Sequence, residues 1–153
     1  MLTRGRIRLK TRPLPKAGLV VRWLLAAGWM GGIFYLSQQS SPLGGSPSRI
    51  EALTAHLVLY GVLALLLYWA LWAAARGEQA GQGLFVAALA FALTVLYGVS
   101  DELHQAFVPG RTASEADLLV DAIGALLGLG GALVSQRAFL ALRARLGDSS
   151  SHP

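Results

Sequence analysis

No cysteine occurs in the 153 residues, which excludes disulfides, thiolate nucleophiles and cysteine metal sites. Charge is scarce as well: Asp, Glu, Lys and Arg make up 14% of the chain, against roughly 25% in a soluble domain. There is no HExxH pair, no glycine-rich phosphate loop and no nucleophilic serine motif, so the chemistries those patterns support have no foothold. Acid–base chemistry by His, Asp and Glu stays open. Internal repeats are absent, as are the short alternating segments of a membrane β-barrel.

Hydrophobic residues, by contrast, make up 54% of the chain. They gather into four runs, residues 19–36, 53–75, 84–100 and 118–135, which hold only Arg22 and Asp121 as formal charges. A bilayer core needs about 17–25 apolar residues of helix, and backbone groups in lipid must be satisfied within the segment. The pattern excludes a water-soluble enzyme, an ordinary DNA-binding domain and a disordered tail. It predicts an all-α integral membrane protein, a four-helix transmembrane bundle.

Basic residues set the expected orientation. Arg4, Arg6, Arg8, Lys10, Arg12 and Lys16 precede the first run, and Arg137, Arg143 and Arg145 follow the last. Arg49 and Arg76 in the connections are each offset by a nearby glutamate, Glu51 and Glu78. The positive-inside rule then puts both termini in the cytoplasm. The net charge of +5 is a topology signal and an anchor on anionic headgroups rather than a nucleic-acid footprint, and Arg22 is close enough to the end of its run to snorkel. No small-x-small cleavage site follows the first run, so it is expected to be retained as a span. The expected organisation is a basic cytoplasmic segment at 1–18, a four-span membrane domain at 19–135 and a basic cytoplasmic tail at 136–153. Ser40–Ser48 is expected to be a loop and Gly147–Pro153 a frayed end.

This topology brings distant polar residues to one side. His56 opens the second span, the third closes on Ser100-Asp101-Glu102-Leu103-His104-Gln105, and the fourth begins near Asp117 and Asp121. Pro109 predicts that the third helix runs to about Phe107. At about 100° per residue, Glu102 and His104 lie about 160° apart and cannot hold one ion from a regular helix. Asp101 with His104, or Glu102 with Gln105, are the feasible neighbours. Pro109-Gly110 reads as a tight turn. Thr112-x-x-Glu115 and Ser114-x-x-Asp117 both fit a capping box, so the fourth helix starts at one or the other. Its amino end beside Arg111 favours anions. Asp117, Asp121, Gly124 and Gly128 form one stripe, acidic and then small, where another helix can pack. An ionisable group within a span costs about 2.5–3.5 kcal/mol, so Asp121 needs a partner, His56 or Arg111.

The run from Ser100 to Arg111, followed by Asp117, Asp121, Gly124 and Gly128, resembles the VanZ-like family of small bacterial multi-span membrane proteins. The Leu36-Ser37 exit from the first run and His56-x-x-x-Tyr60 fit as well, so the resemblance covers about residues 20–135. That family is named after a protein associated with low-level resistance to the glycopeptide teicoplanin. The resemblance implies a bacterial cell-membrane location, a polar site on the outer face and an envelope-related role, without a reaction. Two positions depart from the pattern: Leu53 stands where the family often has Lys, and Asp121 where it often has Asn.

Three function classes follow. One is a binding module whose outer-face pocket holds an envelope lipid, an envelope precursor or a glycopeptide, with Arg111, His56, Glu102, His104, Gln105, Asp117 and Asp121 as binding residues. The second is an enzyme on a lipid-linked substrate, with Glu102 or Asp101 as base, His104 or His56 as acid partner and Arg111 as clamp. No cofactor is required, but a divalent metal on Asp101, His104 and Asp117 is a variant of that reading. The third is a structural or transport subunit. Membrane lipid is the expected partner, nucleic acid is not, and Gly124 and Gly128 could pack within the chain or between copies. In the first two classes His56, Glu102 and Arg111 should meet at one cavity.

Overall fold

The computed structural model of the protein describes residues 16–39, 48–75 and 82–149. Four helices follow one another: α1 (Lys16–Ser37), α2 (Arg49–Ala74), α3 (Gln82–Gln105) and α4 (Glu115–Ser149). No strand occurs among the described residues, and all four helices are long and apolar enough to cross a membrane. Their outward surface is apolar: Leu24, Phe85, Leu96 and Leu127 are all exposed on the bundle. In water such a surface would drive aggregation; in lipid it is the solvated face. The basic amino-terminal residues before Lys16, Arg76 with Glu78, and most of the Ser40–Ser48 loop lie outside the described residues.

Helix ends depart from the apolar runs for identifiable reasons. Ser48 caps α2, its hydroxyl accepting from the Glu51 amide at 3.3 Å while the Glu51 carboxylate accepts from the Ser48 amide at 2.8 Å. This reciprocal box starts the helix four residues ahead of the apolar run. Helix α3 stops at Gln105 rather than Phe107, because the Phe107 and Val108 amides tighten onto the His104 and Gln105 carbonyls. Gly110 then takes φ 83° to complete the turn, a conformation that suits glycine. Of the two capping candidates, Ser114 is the one used: its hydroxyl accepts from the Asp117 amide at 3.3 Å. At its far end α4 continues through Ser149, well into the segment expected as a tail, since the Ala, Leu and Arg residues there are strong helix formers.

Helix α2 is the hub, packed against α1, α3 and α4. Its contact with α4 is the closest because three glycines remove side chains between the backbones. A Cβ on Gly124 would collide with the Leu57 carbonyl, one on Gly128 would lie 2.6 Å from the Gly61 carbonyl oxygen, and one on Gly61 would lie 3.1 Å from that of Gly124. The small-residue stripe therefore packs within the chain. Tyr60, Leu63 and Ala64 of α2, Ala90 of α3 and Ala125 of α4 form the centre of the core.

Side-chain hydrogen bonds tie the remaining helix on. Trp29 Nε1 donates to the Leu59 carbonyl at 2.9 Å and Tyr97 donates to that of Met30 at 2.6 Å. Arg22 reaches across to α2, donating to the Trp69 carbonyl at 3.0 Å with its guanidinium 4.3 Å from the centre of the Trp69 ring. These pairings run α1 antiparallel to α2. The ends of α1 and α3 and the starts of α2 and α4 thus meet at one end of the bundle.

Candidate functional site

That end collects the polar residues. His56 projects from the second turn of α2 towards α4, where its Nδ1 lies 2.9 Å from Asp121 Oδ1. The partner that Asp121 requires is therefore His56 and not Arg111. Asp121 is only 1% exposed, and its second oxygen, Oδ2, is buried without a hydrogen-bond partner. Room for it comes from Gly98 of α3, where a Cβ would stand 3.2 Å from Oδ2.

The acidic tip of α3 divides between two directions. Asp101 turns to α2: Tyr60 donates to its Oδ2 at 3.1 Å and Gln105 Nε2 donates to the same oxygen at 2.9 Å. Its i+4 neighbour Gln105 takes the place expected for His104. Glu102 turns to α4, where its Oε2 accepts from the Ser114 amide at 2.7 Å. A carboxylate at a helix start meets free amides and the positive end of the helix dipole. Asp101 Oδ1 and Glu102 Oε1 are buried and unpartnered, though the side chains that carry them are 3% and 7% exposed.

His104 faces α1, its ring 4.5 Å from that of Phe34. It stands apart from Glu102, as the helical angle between them requires. Arg111 is bonded to backbone rather than to an acid: its Nε donates to the Gln39 carbonyl at 2.9 Å and its Nη2 to that of Leu36 at 3.1 Å. The last carbonyls of a helix lack intrahelical donors, and a guanidinium fork supplies two at once. Arg111 is thereby a clamp on the end of α1.

Two adjoining features result, with His56 common to both. The first is a cavity of about 110 Å³ between α1, α2 and α3. Its walls are apolar, Ile33, Leu36 and Leu59 among them, and its polar lining is His56, Tyr60, Asp101, Gln105 and Arg111. The second is a convergence of His56, Glu102 and Asp117, each of which offers one donor atom within 4.8 Å of the others. So His56 and Arg111 do line one cavity, while Glu102 meets His56 outside its lining. The metal-ligand set read from the sequence, Asp101, His104 and Asp117, is not gathered: Asp101 is held by Tyr60 and Gln105, His104 lies on Phe34, and Asp117 joins His56 and Glu102 instead.

Tyr60 is the residue that sequence reasoning undervalued. It lies four residues after His56, on the same face of α2, and the two rings stack with centroids 6.1 Å apart. Its spacing was the available signal. The Ser114 amide and the α1 carbonyls had none, because backbone groups become ligands only once helix ends are positioned. In comparisons with known proteins, no curated protein and no solved structure matches the chain. A family model described as VanZ/LLP1 matches residues 22–136, which takes in all of these residues.

Proposed function

The chain belongs to the VanZ-like family, and we propose that it is a cell-envelope membrane protein whose cavity holds the polar headgroup of an envelope lipid. Both termini are cytoplasmic by the distribution of Lys and Arg, which turns the polar end of the bundle to the outside of the bacterial membrane. By binding an exposed lipid or lipid-linked precursor there, the protein contributes to glycopeptide resistance of the teicoplanin type.

The cavity carries this reading. Apolar walls with a polar lining match an amphiphile whose head is anchored and whose tail remains in lipid. Drug-sized ligands fill about 300–1,000 Å³, so about 110 Å³ suits a headgroup and is far too small for a glycopeptide. Arg111 has five N–H donors, and the two taken by the Leu36 and Gln39 carbonyls leave three for an anionic group. Gln105, which gives one N–H to Asp101, has a second in the same lining. Filling the cavity tests the reading. Ala55 lines it, so Ala55→Phe should abolish the protein's contribution to teicoplanin tolerance in a sensitive host at unchanged membrane level. Undiminished tolerance in that variant would refute it.

A second reading is an enzyme acting on a lipid-linked substrate, favoured by the His56–Asp121 pair beside Glu102. An imidazole oriented by a carboxylate is the arrangement general acid–base catalysis uses. His56 would move the proton and Glu102 would act as its partner, with Arg111 on the anionic group. Turnover of a lipid-linked substrate, lost in Glu102→Gln, is the result that would favour this reading.

A further inference from the structure

Asp101, Glu102, Asp117 and Asp121 stand together at the polar end of the bundle, and the Arg111 guanidinium is bonded to the Leu36 and Gln39 carbonyls rather than to any of them. Buried charge is tolerated when it is paired or coordinates a metal. Here Glu102 Oε1 and Asp121 Oδ2 are buried with no hydrogen-bond partner, on side chains at least nine-tenths buried. Glu102, with Oε2 already bonded to the Ser114 amide, belongs to the group whose donors converge with those of His56 and Asp117. We propose that His56, Glu102 and Asp117 bind a divalent transition-metal cation, Mn²⁺ or Zn²⁺, with Asp121 as the positioning residue behind His56.

The chemistry of the donors carries the assignment. Imidazole suits zinc and neighbouring transition ions, whereas carboxylates suit manganese and magnesium; a mixed set of one imidazole and two carboxylates selects the overlap. With Nδ1 held by Asp121, Nε2 is the ring nitrogen left for the ion. Metal-binding histidines regularly give their other nitrogen to a carboxylate, which fixes the tautomer and ring orientation. Donors at about 2.0–2.2 Å from a shared ion lie at most about 4.4 Å apart, and one donor atom from each of the three side chains already lies within 4.8 Å of the others. The three ligands come from the second turn of α2, the last turns of α3 and the first turn of α4. An ion there would tie three helices together at the mouth of the bundle. This inference stands whether or not the adjoining cavity takes a lipid.

The test uses the full-length protein in detergent, stripped with EDTA, desalted and titrated separately with MnCl₂, followed by the EPR signal of free Mn²⁺, and with ZnCl₂ by calorimetry. One saturable site per chain is expected for at least one of the two ions. Asp117→Asn, at a half-buried position on the first turn of α4, should weaken it at least ten-fold, as should His56→Ala and Glu102→Gln. Asp121→Asn should weaken it by about 10–100-fold, the usual effect of losing an outer-shell carboxylate. Asp101→Asn, buried nearby but outside the group, should retain it. A second readout needs no variant: metal should raise the melting temperature of the wild type, and EDTA should reverse the rise. Absence of saturable binding and of any metal-dependent rise overturns the proposal. So does binding that survives Asp117→Asn, or that Asp101→Asn removes equally.

Discussion

His56 and Asp121, 65 residues apart in sequence, meet at 2.9 Å between α2 and α4, and this contact sets the register of the two helices at the polar end. Interhelical hydrogen bonds in membranes are worth about 0.6–1.7 kcal/mol, whereas orphaning one member of a buried charged pair costs about 3–5 kcal/mol. Asp121→Asn keeps an acceptor for the imidazole and should fall in the first range. His56→Ala leaves a nearly inaccessible carboxylate with no side-chain partner and should approach the second. Thermal melts in detergent would rank the two, and equal losses would contradict the role given to the pair.

Arg111 should govern the end of α1. Hydrogen bonds from charged donors contribute about 1.5–3 kcal/mol each, and Arg111 makes two to the carbonyls of Leu36 and Gln39. Arg111→Ala should release that end, and Arg111→Lys should rescue it only in part, since an ammonium lacks the fork. Spin labels at Gln38 and Thr112 should report a narrow distance distribution in the wild type and a broad one in Arg111→Ala. An unchanged distribution would show that α1 is held by its other contacts alone.

The α2–α4 contact should tolerate no added side chain. Gly124→Val drives its Cβ into the Leu57 carbonyl, whereas Gly131 on the same helix has nothing within 4 Å of an added Cβ. Overpacking costs about 1–3 kcal/mol, so Gly124→Val should lower the melting temperature clearly and Gly131→Val should leave it almost unchanged. Similar losses in both would mean that helix propensity, and not the close approach, is being measured.

How far these features were legible in the sequence varies by residue. The four spans, the stripe from Asp117 to Gly128 and the need of Asp121 for a partner all follow from composition, helical spacing and the cost of an ionisable group in lipid. The start of α2 was also written in Ser48 and Glu51, though it reads at first as a loop. The destinations of Arg111, Glu102 and His104 were not legible. Spans that are apolar on all sides leave their mutual rotation open, so nothing local says that Arg111 meets the end of α1 or that His104 lies on Phe34. The likeness of Asp101, Glu102, Asp117 and Asp121 as acids also hides their division between the cavity and the His56 group.

Orientation has a direct check, because the chain has no cysteine of its own. Single cysteines at Gln39 or Thr112, at the polar end, should react with a membrane-impermeant maleimide in intact cells. A cysteine at Arg137, towards the far end of α4, should react only after permeabilisation. The reverse pattern would place the cavity on the cytoplasmic side and remove the envelope role.

Native mass spectrometry of the protein released from mild detergent tests the headgroup cavity most directly. The wild type should carry one tightly held envelope lipid. Ala55→Phe, which fills the space between α1, α2 and α3, should emerge without it at an unchanged melting temperature. A wild type free of lipid, or an Ala55→Phe variant that keeps the same adduct, would contradict the account.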